Sequence, residues 1–436
     1  MPRELSPFEL DRELAKVAPR ARAAYRALRS GREVRLTIPE VLRDPETIER
    51  VATDKSDPIA APLLRWLYWL ELSHRALPLA GARVRQYRAE RHALDKPLSG
   101  YFTWRELLGH ALRDGARRPA LLDVMLDRGG ALRDAGARFY ELRAELPTFA
   151  GRSRSDLEQP GGSVVVEAAR ALLTSSADAQ QSLELRSLSD VLTQGLATDA
   201  NDGWPRQLSL RTLNELMGSR DWLSGLRLDA AGLPAPLSAA SFARGMLTLG
   251  AAWAESLAPA SQPFSLSRDP FGLVRAQYGA LFASLTTSPP FLRRQLGLGK
   301  ERVVRHARAL SRSALLFVRQ LALRALLDEP ALSGPGTLTE AFSELGTRTF
   351  GFEPPPRGAG LLFRPRLGDA QRFAGVLLAA EQTERLVQEH DEDWFRNPRA
   401  IEQLRAETRV PPAITTDKET LERGARALTT RLSELI

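Results

Sequence analysis

The chain has 436 residues, 43% of them hydrophobic, a formal net charge of +8 and no cysteine. A chain of this length and composition is not disordered and can bury a large core, as one helical body or as two or three domains. The missing thiols exclude disulfides, thiolate zinc sites and cysteine nucleophiles, and fit a cytoplasmic protein.

Only five of the 61 basic residues are Lys. The rest are Arg, interspersed with the acids and never gathered into a long run of like charge. That pattern fits a GC-rich coding background and a mixed-charge surface better than a dedicated nucleic-acid arm. The N-terminus, MPRELSPFELDRELAK, lacks the apolar run of a signal peptide, and no stretch reaches the roughly eighteen apolar residues of a membrane span.

In chain order, helix follows helix. Ser6 and Pro7 open the first, with Phe8, Leu10, Leu14 and Val17 on its apolar side, and the pattern continues past Pro19 to about Leu28. A shorter helix is expected from Ile38-Pro39 and a core helix from Asp57-Pro58, interrupted at Pro78 and Gly81. Thr103 and Glu106 form a capping box that starts a helix ending at Gly115. Helices follow over Pro119–Leu126 and Ala131–Leu146. Residues 147–162, rich in Gly, Pro and Ser, read as a linker or surface loop and as the best boundary, dividing an N-terminal helical region (1–150) from a second one (160–436) within one continuous fold.

Val164-Val165-Val166 allows a short strand, but the following Glu167-Ala168-Ala169-Arg170-Ala171-Leu172-Leu173 favours a helix; residues 174–185 read as polar and exposed, and Asn201-Asp202-Gly203 reads as a turn. Ser209 is expected to cap Leu210–Met217. Leu226-Arg227-Leu228 is the strand candidate of a region, about 160–235, where a small patch of two or three strands is allowed. From Phe242, the residues Met246, Leu249, Gly250, Trp253 and Leu257 line one helical face. A second helix from about Asp269 carries Leu273, Gln277, Tyr278, Leu281 and Leu285, and Pro289-Pro290 closes it. A loop over Phe291–Gly299 precedes a long helix, Lys300–Leu327. Gly/Pro-rich connectors, 329–336 and 351–360, flank a helix begun by a Thr337–Glu340 capping box. The last helices run from Gly368 to His390 and onward from Asn397-Pro398. The fold class is all-α.

The helix pair within 241–285 resembles the active-site helices of the oligoendopeptidase and thimet-oligopeptidase-like zinc peptidases. There the first helix carries H-E-x-x-H and the second a Glu. Two His four apart hold zinc, the intervening Glu activates water, and the second carboxylate completes the site. With Gly250 on the Gly that often precedes the second His, Leu247, Thr248 and Ala251 stand at the His, Glu and His positions. Matching Phe271 and Gln277 to an F-x-E-x-P-S-Q pattern puts Leu273 on the Glu; counting by loop length gives Ala276. Gly368-Asp369-Ala370-Gln371-Arg372-Phe373 is similar to the family's Tyr-Asp-Ala-Gln-Tyr-Tyr, with Gly368, Arg372 and Phe373 where tyrosines would stand. The resemblance implies a metallopeptidase-like fold with a degenerate site, holding no metal or other cofactor and no catalytic residue.

Other chemistries find no support. The five histidines include no pair at helical spacing, Gly297-Leu298-Gly299-Lys300 lacks the strand and the Ser/Thr of a P-loop, and Gly358-Ala359-Gly360 lacks a third Gly. Glu340 with Glu344, and Glu381 with Glu384, read as solvated faces. Arg65-Trp66-Leu67-Tyr68-Trp69 reads as core and not as a base-stacking platform. The expected role is a peptide- or protein-binding scaffold without hydrolytic activity; the alternative, motivated by a sequence pI near 10.1, is a helical nucleic-acid-associated protein.

Overall fold

A computed structural model of the protein describes residues 5–54, 56–158, 162–209, 211–213, 215, 236–359, 366–408 and 417–436. The strand candidate Leu226-Arg227-Leu228 lies outside them, as does most of the Leu210–Met217 helix. Among the described residues the fold is all-α apart from two hairpins. These are β1 (Arg91–Leu94) with β2 (Gly100–Thr103), and β3 (Thr148–Phe149) with β4 (Arg152–Ser153). Both fall outside the 160–235 window; strands of two to four residues are too short to show a period of two in the sequence.

The N-terminal part is built on α3. Helix α1 (Pro7–Arg29) opens with a Ser6–Glu9 capping box and continues through Pro19. The expected start at Pro39 is taken by a single 3-10 turn, and α2 (Pro45–Thr53) begins later, where the Asp44 side chain caps the Thr47 amide at 2.9 Å. Helix α3 (Ala60–Arg88) runs unbroken through Pro78 and Gly81, contrary to the expected interruption. It packs against α1, α2 and α6 (Gly130–Ala144) and buries Trp66, Leu67, Tyr68 and Leu70. That burial outweighs the roughly 3 kcal/mol that an interior proline costs. Between them, α4 (Trp104–Arg113) starts from the Thr103–Glu106 capping box, and α5 (Arg118–Arg128) follows.

Residues 147–156 lie at the surface, as one of the two readings of this stretch expects, but 147–158 is structured. They form the β3–β4 hairpin and α7 (Arg154–Glu158), which buries Leu157 and Glu158. Glycine and serine supply a tight turn here instead of a flexible span; Gly151 is left-handed, at φ 71°. Helices α8 (Gly162–Ser175), α9 (Ala177–Gln181) and α10 (Leu188–Gly195) come next. The stretch expected to be exposed instead buries Gln180, Leu183 and Leu185, with the Gln180 amide donating to the Phe350 carbonyl at 2.7 Å.

The C-terminal part contains α11 (Ala239–Leu257), capped by Ser238, the short α12 (Phe264–Ser267), α13 (Leu273–Ser284), α14 (Pro289–Arg294) and α15 (Lys300–Leu326). Then come α16 (Asp328–Leu332), α17 (Pro335–Phe350), α18 (Asp369–His390), α19 (Pro398–Thr408) and α20 (Lys418–Leu435). Pro289-Pro290 thus start a helix where a loop was expected, because proline suits a first turn. The Thr337–Glu340 box caps nothing, since α17 already begins two residues earlier at Pro335. The 329–336 connector is largely α16, tied to the end of α15 through the Ala331 amide and the Leu327 carbonyl, 3.0 Å apart.

Helices α11, α13, α18 and α20 lie side by side, with α15 and α8 packed across them. Glycines set the spacing. A methyl group on Gly250 would lie 2.1 Å from the Tyr278 carbonyl oxygen, one on Gly375 2.6 Å from that of Leu273, and one on Gly424 2.1 Å from that of Leu377. No side chain fits at those distances, so each successive pair meets backbone to backbone. Arg319, 1% exposed, adds a polar tie across this core. It donates to the carbonyls of Leu173, Thr349 and Arg348, which would otherwise be orphaned at the ends of α8 and α17. We expect Gly250→Ala to cost about 1–3 kcal/mol of stability through overpacking. Gly195→Ala, with nothing within 4 Å of the new methyl, should be neutral or slightly stabilising. Urea denaturation midpoints of the two variants check this.

Candidate functional site

Helices α11 and α13 are antiparallel neighbours. Gly250 faces the Tyr278 carbonyl, Gly279 faces the Leu247 carbonyl, and Glu255 pairs with Arg275 at 2.5 Å. Met246, Leu249, Trp253, Tyr278 and Phe282 are all buried between this pair and its neighbours, as the periodicity predicts. The rings of Tyr278 and Phe282 lie 5.6 and 5.4 Å from that of Trp253. Burial pushes the Tyr278 hydroxyl up to about 12, so it is neutral at ordinary pH.

The four degenerate positions do not converge. Leu247 is half-buried, Thr248 is exposed with its hydroxyl donating to the Arg244 carbonyl at 2.8 Å, and Ala251 is buried. Leu273 belongs to a separate apolar cluster shared with α15 and α18. Ala276, the other candidate for the second-helix position, also turns towards α18: its Cβ lies 2.8 Å from where a Gly375 methyl would be. Among the described residues, no group of three or more His, Asp or Glu is arranged to hold a metal ion. Leucine, threonine and alanine, the residues at the matched positions, are not side chains that bind zinc.

Next to this pair lies the start of α18. Gly368 is left-handed, at φ 75°, and a methyl on it would sit 2.2 Å from the Phe271 carbonyl. A tyrosine has no room there. Phe373 is fully buried. Asp369, whose side chain is wholly buried, is surrounded by Arg324 (2.8 Å), Arg366 and Arg372 (3.6 Å). Burial alone would raise the Asp369 pKa, but Arg324 and Arg366 outweigh it and hold the carboxylate below its usual range.

A second ionic centre was not legible in the sequence. Arg143 on α6, 1% exposed, forms a two-pronged pair with Asp328, at 2.8 and 2.9 Å, and also binds Glu158. Burial works against its charge, but Asp328 and Glu158 more than compensate and hold it firmly protonated. The Tyr68 hydroxyl donates to Glu158 at 2.5 Å, and the Gln371 amide reaches the Glu158 carbonyl. The available signal was Arg143 itself, a charge on the buried Leu132–Gly136–Tyr140 stripe of α6. Near the α11–α13 pair, Arg22 of α1 binds Glu255 at 2.7 Å and the Asp269 carbonyl at 2.9 Å, and Asp11 accepts from the amides of Phe264 and Ser265.

The depressed Asp369 pKa carries a sign. Its contribution to stability is fully present above the unfolded value of about 3.9 and is lost as pH falls through the lower folded value. Asp369→Asn should cost about 3–5 kcal/mol at neutral pH, as removing one partner of a buried ionic cluster does. It should also flatten the fall in stability below about pH 4. Denaturant titrations of both proteins between about pH 7 and pH 3 measure it.

No protein-family model matches the chain, and no curated protein matches its sequence. Its fold is similar to that of a solved structure described as a "putative peptidase from Chlamydophila abortus", with a TM-score of 0.51 and 13% identity over 96% of this chain and 82% of that one. The chain shares the fold of that structure.

Proposed function

We propose that the protein is a catalytically inactive relative of the oligoendopeptidase and thimet-type zinc peptidases, and that its body holds a peptide or a peptide segment of a partner protein. One observation carries the reading. At Gly250 the backbone of α13 leaves no room for a side chain, which is the physical reason for a Gly at the position matched to the family's motif. In that register the two His positions and the base position are Leu247, Ala251 and Thr248, and none of the three can bind zinc or activate water. The glycine at 368 and the arginine at 372 remove the hydroxyl donors of the second motif in the same way.

The reading also treats residues 1–150 and 160–436 as one working body. Arg143–Asp328, Arg22–Glu255 and Asp11–Ser265 all link the two. Among the described residues no helix is long and apolar enough to cross a membrane. A nucleic-acid partner would show itself by affinity that collapses steeply with salt; a peptide held by apolar anchors would be far less sensitive.

Protein purified without added metal should contain no stoichiometric zinc by elemental analysis. The combined variant Leu247→His, Thr248→Glu, Ala251→His, Leu273→Glu should be less stable than the parent by several kcal/mol, since buried polar groups then lack partners. Zinc should not restore that loss, because Leu273 packs in an apolar cluster that contains neither Leu247 nor Ala251. A tightly held zinc in the parent, or a variant as stable as the parent, would overturn the reading.

A further inference from the structure

One buried titratable group takes no part in the site described above. His306, in the second turn of α15, is 0% exposed, and among the described residues neither of its ring nitrogens makes a well-formed hydrogen bond. Over it lies the loop 196–208, which contains a 3-10 turn at Thr198–Ala200. Trp204 anchors that loop. Its ring stands 5.5 Å from the His306 ring, at 89°, and 5.7 Å from the Phe242 ring of α11, and its Nε1 donates to the Leu237 carbonyl at 3.0 Å. The Leu237 amide in turn donates to the Leu208 carbonyl at 2.8 Å. Trp204 therefore joins α15 to the start of α11, and His306 forms part of its seat.

The charges around His306 oppose a proton on it. Gly203 is left-handed, at φ 71°, and a methyl group on it would lie 3.3 Å from Arg302 Nε and 3.4 Å from a terminal nitrogen of Arg305. Two guanidiniums from the helix that carries His306 thus flank the loop that covers it. The acid facing them, Asp202, is 80% exposed and already paired with Arg305 at 2.8 Å. The other charges on the elements packed here are turned elsewhere. Asp199 of the loop, Lys300, Glu301 and Arg308 of α15, Arg293 and Arg294 of α14 and Arg244 of α11 are exposed, Arg294 binds Asp393, and Asp190 of α10 accepts from the Ser187 hydroxyl at 2.9 Å. Burial holds the imidazole below its ordinary value; the Gly203 backbone and Asp202 pull the other way without overcoming it, and Arg305 and Arg302 deepen the depression. An imidazolium here would be a buried charge without a counter-charge of its own.

We propose that His306 is a proton-sensitive latch: neutral, it seals the 196–208 loop against α15 and α11; protonated, it drives Trp204 and the loop off their seat while the rest of the body stays folded. Linkage fixes the direction. A histidine whose value in the closed state lies below its open-state value of about 6.5 stabilises the closed loop fully above that pH, and the contribution is lost as pH falls towards the closed-state value. Opening frees the Leu237 carbonyl and amide, and with them the chain entering α11, whose Ser238 cap follows directly. The latch concerns how the fold opens and is independent of what the body binds.

The test is hydrogen–deuterium exchange of the full-length protein between about pH 7.5 and pH 5.5, corrected for the intrinsic pH dependence of exchange. The amides of Ala200, Asn201, Trp204 and Leu208, each hydrogen-bonded within the loop, should exchange up to about tenfold faster at the lower pH, while those of α18 stay unchanged. His306→Phe, which keeps a ring beside Trp204, and His306→Leu, which asks for less room, should each remove the pH dependence. By NMR, the histidine ring resonance that is missing from either variant should titrate below about pH 6.5 in the parent. The latch is wrong, and His306 only a sealed core residue, if loop exchange does not respond to pH, if the rise persists in a folded variant or is shared by α18, or if His306 titrates at or above about 6.5.

Discussion

Direct backbone contact between helices is the constraint on which the rest of the molecule depends. Gly250 against Tyr278, Gly375 against Leu273 and Gly424 against Leu377 each bring a carbonyl oxygen to within 2.6 Å or less of where a methyl group would stand. At that separation helices exchange dispersion contacts along their whole length. The sheet-like row α11, α13, α18, α20 is the result. The larger side chains of these helices form the two large apolar clusters that contain Leu273 and Trp253 respectively.

Arginine does the remaining work of joining distant segments. Arg143 ties α6 to α7 and α16, Arg319 gathers the C-termini of α8 and α17, and Arg65, paired with Asp269 at 3.4 Å, also binds the Leu157 carbonyl at 2.9 Å. The planar guanidinium offers five donors in fixed directions, so one side chain can satisfy several buried carbonyls and carboxylates at once. A lysine could not do this. The Arg-for-Lys bias, whatever its origin in the genome, is therefore put to structural use inside the protein as well as on its surface.

Hydrolysis by metal needs a charged centre held by several oriented ligands, and the positions that would supply them carry aliphatic groups and a threonine. The body consists of packed helices, a junction between α1, α11 and α13 crossed by the Arg22–Glu255–Arg275 ion pairs, and a cluster of arginines around Asp369 at the start of α18.

The sequence by itself determined the helical class, the helix pair around Gly250, the helix start at Ser6, the Thr103 capping box and the buried faces of Met246, Leu249 and Tyr278. Each of these is written in local spacing: apolar residues at three and four, or a Ser/Thr three before a Glu. Tertiary structure alone decided that α3 continues through Pro78, that 147–158 forms a hairpin and a short helix with Leu157 and Glu158 buried, that Pro335 and not Thr337 begins α17, and that Leu273 packs into the cluster shared with α18. It also decided which charges are buried. Arg143 and Glu158 are 15 residues apart and Arg143 and Asp328 are 185 apart, and no local pattern marks a pair whose partners are brought together only when helices from both halves pack. Packing energy is summed over the whole core, so it can override a proline, a polar stretch or a weak cap that a local reading takes at face value.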